Sequence, residues 1–282
     1  MMYIEGTFSG CGGFNLYYQC WQAPSDSPRA VLVVAHGLAE HSGRYLNLVN
    51  YFIPRGYEVW ALDYEGHGKS GGRRGHVRLF ANYVQDLETF LQMVAQKRPG
   101  SCIFLVGHSM GGAVAMLAAL HQQQMLVGLI VSGPTFKHSL KTPQPLKTVV
   151  KVLSFLVPKM GVTVIDASGI SRDAGVVSAY VSDPLVHCGK ISARLASEIM
   201  AAGEQASRQA RLLSLPLLIL QGSVDRLCNP QGSKVFYQQA GSKDKTLKLY
   251  DGFYHEVYNE PGHEEVLKDV EEWVEGRVER KS

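Results

Sequence analysis

The run Cys102-Ile103-Phe104-Leu105-Val106-Gly107-His108-Ser109-Met110-Gly111-Gly112, which continues as an Ala-rich stretch to Leu120, decides the fold. Cys102 to Val106 is a short apolar run that reads as a buried strand, and Met110 to His121 reads as a helix. Between them lies Gly-x-Ser-x-Gly. A serine at so sharp a strand-to-helix turn is forced into strained backbone angles, and the glycines two positions to either side remove side chains that would clash. Its hydroxyl then projects above the carboxyl end of a sheet, with a helix N-terminus behind it to stabilise developing negative charge. An ordinary Gly-rich turn is the competing reading, but strand and helix stand where the first reading needs them. Ser109 is the candidate nucleophile.

Outward from this element, β-rich runs alternate with helical patterns. Val31 to Ala35, Tyr57 to Leu62, Val127 to Val131, Leu215 to Leu220 and Thr246 to Tyr250 read as further strands, several of them nearly continuous apolar, as strands buried on both faces must be. Arg44 to Ile53, Val77 to Ala95, Ser233 to Ala240 and Glu264 to Val278 read as helices, the last with Val266, Val270, Trp273 and Val274 on one face. Tyr3 to Trp21 reads as an N-terminal hairpin. Such alternation implies βαβ units and a mostly parallel sheet. From Ser132 to Ser214 the chain is far longer than one crossover requires, which indicates an inserted subdomain. Within it Leu146 to Val157 predicts a helix carrying Lys147, Lys151 and Ser154 on one face and apolar residues around the rest.

The 282 residues are 45% hydrophobic and 19% charged, values of a folded globular chain. A formal charge of +3, with cationic runs such as Arg73-Arg74 stopping at two residues, excludes an electrostatic nucleic-acid binder and leaves a weak attraction to anionic lipid. No apolar run is long enough to span a bilayer, and Met1 to Gly10 lacks the marks of a signal peptide. Five cysteines are an odd, sparse set; Cys11 and Cys20 fall at opposite ends of the second hairpin strand and are not expected to pair. With no Asn-X-Ser/Thr sequon, the expected compartment is a reducing cytoplasm.

A serine hydroxyl is a poor nucleophile alone, so a base and an orienting acid are expected downstream in the order Ser, Asp/Glu, His. Asp225 follows the strand ending at Leu220, and His255 follows the strand ending at Tyr250. His263 is the only other histidine past Asp225, at the approach to the last helix. Asp251 competes with Asp225 as the acid but stands too near His255 in sequence to reach round it. The oxyanion needs two backbone donors, for which Met110 and Leu38 are the candidates. Cys228, three residues past Asp225, is expected near the rim of the site. Two other motifs fail. Asp63 to Ser70 ends like a phosphate-binding loop but has Asp63 where the first glycine belongs, and His255-Glu256 opens like a zinc-protease helix but meets Asn259 four residues on. Neither a metal site nor a cofactor is expected.

His36-Gly37 with Glu40-His41-Ser42-Gly43-Arg44-Tyr45, then Gly66 to Ser70, Gly107 to Gly112, Ser182-Asp183-Pro184-Leu185, Gln221 to Cys228 and Tyr254-His255 occur in the order found in one family. The chain strongly resembles, over nearly its whole length, the monoacylglycerol lipase family of serine α/β-hydrolases. The resemblance implies an eight-stranded, mostly parallel sheet with an N-terminal hairpin, an α/β-hydrolase core of residues 1–134 and 208–282, and a helical cap of residues 135–207 over an apolar acyl tunnel. It places Glu40, Arg44 and Tyr180 near the glycerol-side polar groups; the plainer reading of Glu40 and Arg44 is a surface ion pair. Tyr258 stands where animal members often carry a second histidine, and His187 precedes Cys188 where they place a cap cysteine.

The activity so implied is cleavage of long-chain monoacylglycerols through an acyl-enzyme. A lysophospholipase, a general carboxylesterase and a catalytically silent hydrolase-fold binding protein are the alternatives. The partners expected are a lipid substrate and a membrane surface touched peripherally by the cap, with Lys147 and Lys151 meeting anionic headgroups. No protein partner is indicated.

Overall fold

The computed structural model describes residues 2–23, 25, 27–137 and 143–279; residues 1, 24, 26 and 280–282 of the expected core and 138–142 of the expected cap lie outside the described ones. In chain order, β1 (Met2–Ser9), β2 (Asn15–Gln22), β3 (Val31–Ala35), α1 (Leu46–Phe52), β4 (Glu58–Leu62), α2 (Phe80–Lys97), β5 (Ile103–His108), α3 (Met110–His121) and β6 (Leu126–Ser132) are followed by an insertion. The insertion holds α4 (Gln144–Leu156), β7 (Gly161–Thr163), α5 (Ala174–Ser182), β8 (Ile191–Ser192) and α6 (Ala193–Gln209). The chain then returns through β9 (Leu217–Gly222), α7 (Pro230–Gln239), β10 (Lys245–Tyr250) and α8 (His263–Val278).

Among the described residues the main sheet has eight strands in the order β1-β2-β4-β3-β5-β6-β9-β10. The β1/β2 and β2/β4 pairings are antiparallel and the others parallel. Every residue of β3, β4 and β5 is buried, which is why these strands lack an alternating pattern: helices cover both faces. One face packs Leu87, Phe90 and Leu91 of α2 and the alanines of α3, and the other packs Phe52 of α1 with Val270 and Trp273 of α8. The fold is the α/β-hydrolase fold.

Local departures from the sequence reading have local causes. The helix expected over Arg44–Ile53 divides into a 3₁₀ turn at Ser42–Tyr45, α1, and a second turn at Ile53–Arg55; Gly56, at φ 86°, then turns the chain toward β4. Cys11 lies in the hairpin turn rather than on β2, and Cys11 and Cys20 are both free thiols. The insertion is anchored by α6, which packs on α2 and α3 below it and on α4 beside it. Ser192 caps α6 by accepting the Leu195 N–H at 3.1 Å. No helix among the described residues is long and apolar enough to cross a membrane.

Candidate active site

Ser109 sits between β5 and α3 with φ 53° and ψ −118°, a left-handed conformation that costs a residue bearing a Cβ. The strain is held by pairing: the Ser109 N–H donates to the Ser132 carbonyl at 2.9 Å, and its carbonyl accepts from Gly112 and Thr135, both at 3.0 Å. The flanking glycines are required sterically. A Cβ at Gly107 would lie 2.6 Å from the Gly111 carbonyl oxygen, and one at Gly111 would lie 2.1 Å from the Ala35 carbonyl oxygen, so α3 could not approach the end of β3. Gly37 keeps the space over the serine open, since a Cβ there would come within 3.2 Å of Ser109 Cβ.

Ser109 and His255 line one cavity, together with Leu38, Met110, Glu40, Tyr180, Cys228 and Glu256 among others. His255 Nδ1 donates to Asp225 Oδ2 at 2.8 Å, which leaves Nε2 as the free ring nitrogen. Burial disfavours charge on His255, but the neighbouring Asp225 carboxylate outweighs it and raises the imidazole above its ordinary 6.5. For Asp225 burial acts to raise the carboxyl, and is outweighed by His255 and by the N–H groups of Cys228 and Leu227, so its value falls. Gly133, at φ 48°, leaves room for the pair: a Cβ there would lie 2.9 Å from His255 Nδ1. Asp251 is exposed and accepts from Ser223 Oγ at 3.1 Å. Asp225, and not Asp251, is the residue at His255.

Met110 is the first residue of α3, so no carbonyl of its own helix can reach its N–H. Leu38 lies in the loop after β3, and that loop is shaped by Glu40, whose Oε1 accepts the Gly37 N–H at 2.6 Å and the Tyr45 hydroxyl at 2.8 Å. Glu40 and Arg44 do pair, but the pair is buried and not at the surface as the plainer reading has it, because the Glu256 carboxylate and the Tyr180 ring enclose the guanidinium. Arg44 donates to both Glu256 oxygens at 2.8 and 2.6 Å and to Glu40 at 3.3 Å, and its Cζ stands 4.6 Å from the Tyr180 ring centroid. Glu256 is a site residue that the sequence reading passes over.

The Ser182 to Leu185 motif lies against the loop after β3. His41 Nδ1 accepts the Gly43 N–H, so Nε2 carries the proton and donates to Asp183 at 2.9 Å, while the His187 N–H donates to the Ala39 carbonyl at 2.8 Å. On the opposite side the Glu256 N–H donates to Ile170 at 2.8 Å. His36 and His67 are buried beneath the site, and His108 is buried in its wall, its ring 4.7 Å from that of His255. Burial holds His36 down to about 4, His67 to about 3 and His108 to about 4, so all three are neutral at physiological pH.

Three placements differ from expectation. Cys228 is not at the rim but in the cavity wall, with its thiol 3.7 Å from Thr135 Oγ1; burial pushes that thiol well above its ordinary range, because the backbone N–H of Cys228 bonds to Asp225 and turns the residue inward. Tyr258 packs in the core with Tyr250, Phe253 and Val257 and does not line the cavity. Lys147 is half-buried and lines a small cleft with Glu204 and Thr135 rather than standing fully exposed. Among the described residues no group of three or more His, Cys, Asp or Glu side chains is arranged to hold a metal ion.

The family described as "Serine aminopeptidase, S33" matches residues 26–262. The chain is 39% identical over 270 residues to the monoacylglycerol lipase of Mycolicibacterium smegmatis, covering 96% of each, and 35% identical over 269 residues to the monoglyceride lipase of Rattus norvegicus, covering 94% of this chain and 88% of that one. The crystal structure of the Paleococcus ferrophilus monoacylglycerol lipase superposes with a TM-score of 0.83 at 32% identity, covering 95% of this chain and 99% of that one. The chain is a carboxylic ester hydrolase and belongs to the monoacylglycerol lipase family of serine α/β-hydrolases.

Proposed function

We propose that the protein hydrolyses long-chain monoacylglycerols to fatty acid and glycerol through an acyl-enzyme. The observation that carries this reading is a strained serine facing, across one cavity, a histidine whose tautomer is fixed by a buried carboxylate. In it Ser109 attacks the ester carbonyl, His255 Nε2 takes the hydroxyl proton and returns it to the leaving alkoxide, and Asp225 stabilises the imidazolium. The Leu38 and Met110 N–H groups receive the oxyanion. Water then repeats the sequence on the acyl-enzyme and releases the acid.

Residues 135–207 act as a cap on the core of 1–134 and 208–282. Leu38, Ile165 and Ile199 line both the reaction cavity and an adjoining apolar cavity of about 640 Å³ walled by α4 and α6, which suits an acyl chain. Glu40, Glu256 and Tyr180 form the polar side that receives the alcohol. Purified protein should release glycerol from 1-oleoyl glycerol and be labelled at Ser109 by a fluorophosphonate; absence of both would overturn the reading.

The cap also collects substrate from a lipid surface in this reading. On α4, Val152 is 51%, Phe155 80% and Leu156 66% exposed, while Ser154 is buried beneath them. The helix therefore presents apolar residues outward, as an interfacial helix does. Val150 lines the acyl cavity, so the lipid-facing residues are Val152, Phe155 and Leu156.

A further inference from the structure

The alcohol side of the reaction cavity carries two carboxylates, Glu40 and Glu256, and among its described lining residues there is no lysine or arginine. The guanidinium of Arg44 stands behind this wall. It is 9% exposed, takes both Glu256 oxygens and one Glu40 oxygen, and is covered by the Tyr180 ring. Two carboxylates against one guanidinium leave the cluster with surplus negative charge, in a place where little water is present to screen it.

The chemistry of the alcohol half then decides what can enter. A glycerol moiety is neutral and brings hydroxyl donors, which carboxylate oxygens accept. A phosphate-bearing alcohol brings further negative charge and acceptor oxygens, so it gains no hydrogen bond from Glu40 or Glu256 and is repelled by both. Among the described lining residues no lysine or arginine is there to receive it. We infer that Glu256, together with Glu40, is a charge filter that admits monoacyl esters of neutral alcohols and rejects lysolipids whose head group carries net negative charge. The surplus charge belongs to the pair as a whole, and Glu256 is the member to vary, because Glu40 also holds the loop of Leu38 through the Gly37 N–H. The inference rests on the reading of this cavity as a monoacylglycerol site, and it counts against the anionic substrates of the lysophospholipase alternative on electrostatic grounds.

The test compares three oleoyl esters at equal mole fraction in neutral detergent micelles: 1-oleoyl glycerol, 1-oleoyl diglycerol as a larger neutral alcohol, and 1-oleoyl glycerol 3-phosphate. The two neutral esters should agree in kcat/KM within about tenfold, and the phosphate ester should fall about 100-fold or more below 1-oleoyl glycerol. Glu256→Gln keeps a partner for Arg44 and balances the cluster, so it should narrow the phosphate gap by about tenfold or more. A phosphate ester cleaved within tenfold of the glycerol ester overturns the filter. So does a diglycerol ester as slow as the phosphate ester, which would assign the selection to size, and so does a folded Glu256→Gln protein with the gap unchanged. Should that variant fail to fold, the wild-type comparison decides alone. Failure on 1-oleoyl glycerol itself would overturn the functional reading, a result distinct from all of these.

Discussion

Asp225 holds His255 from a fixed position: Oδ2 accepts from His255 Nδ1 at 2.8 Å, while Oδ1 accepts the backbone N–H groups of Leu227 and Cys228, each at 2.8 Å. The carboxylate cannot rotate away without losing two backbone donors. His255 serves as base only when neutral, and Asp225 raises its value above 6.5, so hydrolysis should increase with pH through that raised value. In Asp225→Asn the raising charge is gone. The acid limb of kcat/KM should move to lower pH and the maximal rate should fall by ~10³-fold or more. Profiles from about pH 5 to 9 on both proteins check this; an unmoved limb would contradict the assignment.

The strain at Ser109 has its own signature. Ser109→Ala and Ser109→Gly should both abolish hydrolysis, but only glycine relieves a φ of 53°. After the glycine's extra unfolded-state entropy is deducted, Ser109→Gly should be more stable than Ser109→Ala by about 1 kcal/mol. Urea unfolding of the two variants measures the difference, and a less stable glycine variant would remove strain from the account of the elbow.

Buried neutral histidines make the fold sensitive to acid. His36, His67 and His108 are held to about 4, 3 and 4, against 6.5 in the unfolded chain. Above 6.5 neither state binds these protons and their contribution is fully present. As pH falls below 6.5 the unfolded chain takes up protons that the native state refuses, so stability declines toward the folded values. At pH 5 the loss approaches about 2 kcal/mol for each, opposed in part by His255, whose value shifts the other way. Denaturant titrations at pH 7 and pH 5 should show a loss of several kcal/mol, and equal stabilities would show that these imidazoles protonate in place.

For the cap, Val152→Ser with Phe155→Ser removes two exposed apolar side chains and should change stability by no more than about 0.5 kcal/mol each. Vesicle binding and activity on 1-oleoyl glycerol should fall, with hydrolysis of a soluble short-chain ester retained. Equal losses on both substrates would make α4 a structural element only.

Much of this architecture is legible in the amino-acid sequence. Runs such as Val31 to Ala35 are continuously apolar because both sheet faces are covered, and the order Ser109, Asp225, His255 is readable because each follows a strand at the same sheet edge. Facing is less legible. In α4 apolar residues occupy most of the circumference, so periodicity does not say that Ser154 turns inward and Lys147 is half-buried. Cys228 lies in a turn, where a count of three from Asp225 fixes distance but not direction. Glu256 is the plainest omission: its meaning depends on Arg44, 212 residues earlier, and no local pattern joins them.

The contacts of His41 with Asp183, Ala39 with His187, Arg44 with Tyr180 and Glu256 with Ile170 all fasten the insertion to the core on the side of Glu40 and Glu256, the proposed alcohol side. On the acyl side α4 is packed chiefly on α6. In the proposed reaction the head of a substrate therefore meets the more heavily fastened wall, and the scissile bond is registered from the head, as on a ruler whose zero mark is pinned. On that reading tails of different length extend from one origin along α4 and α6, while the geometry at the carbonyl stays the same.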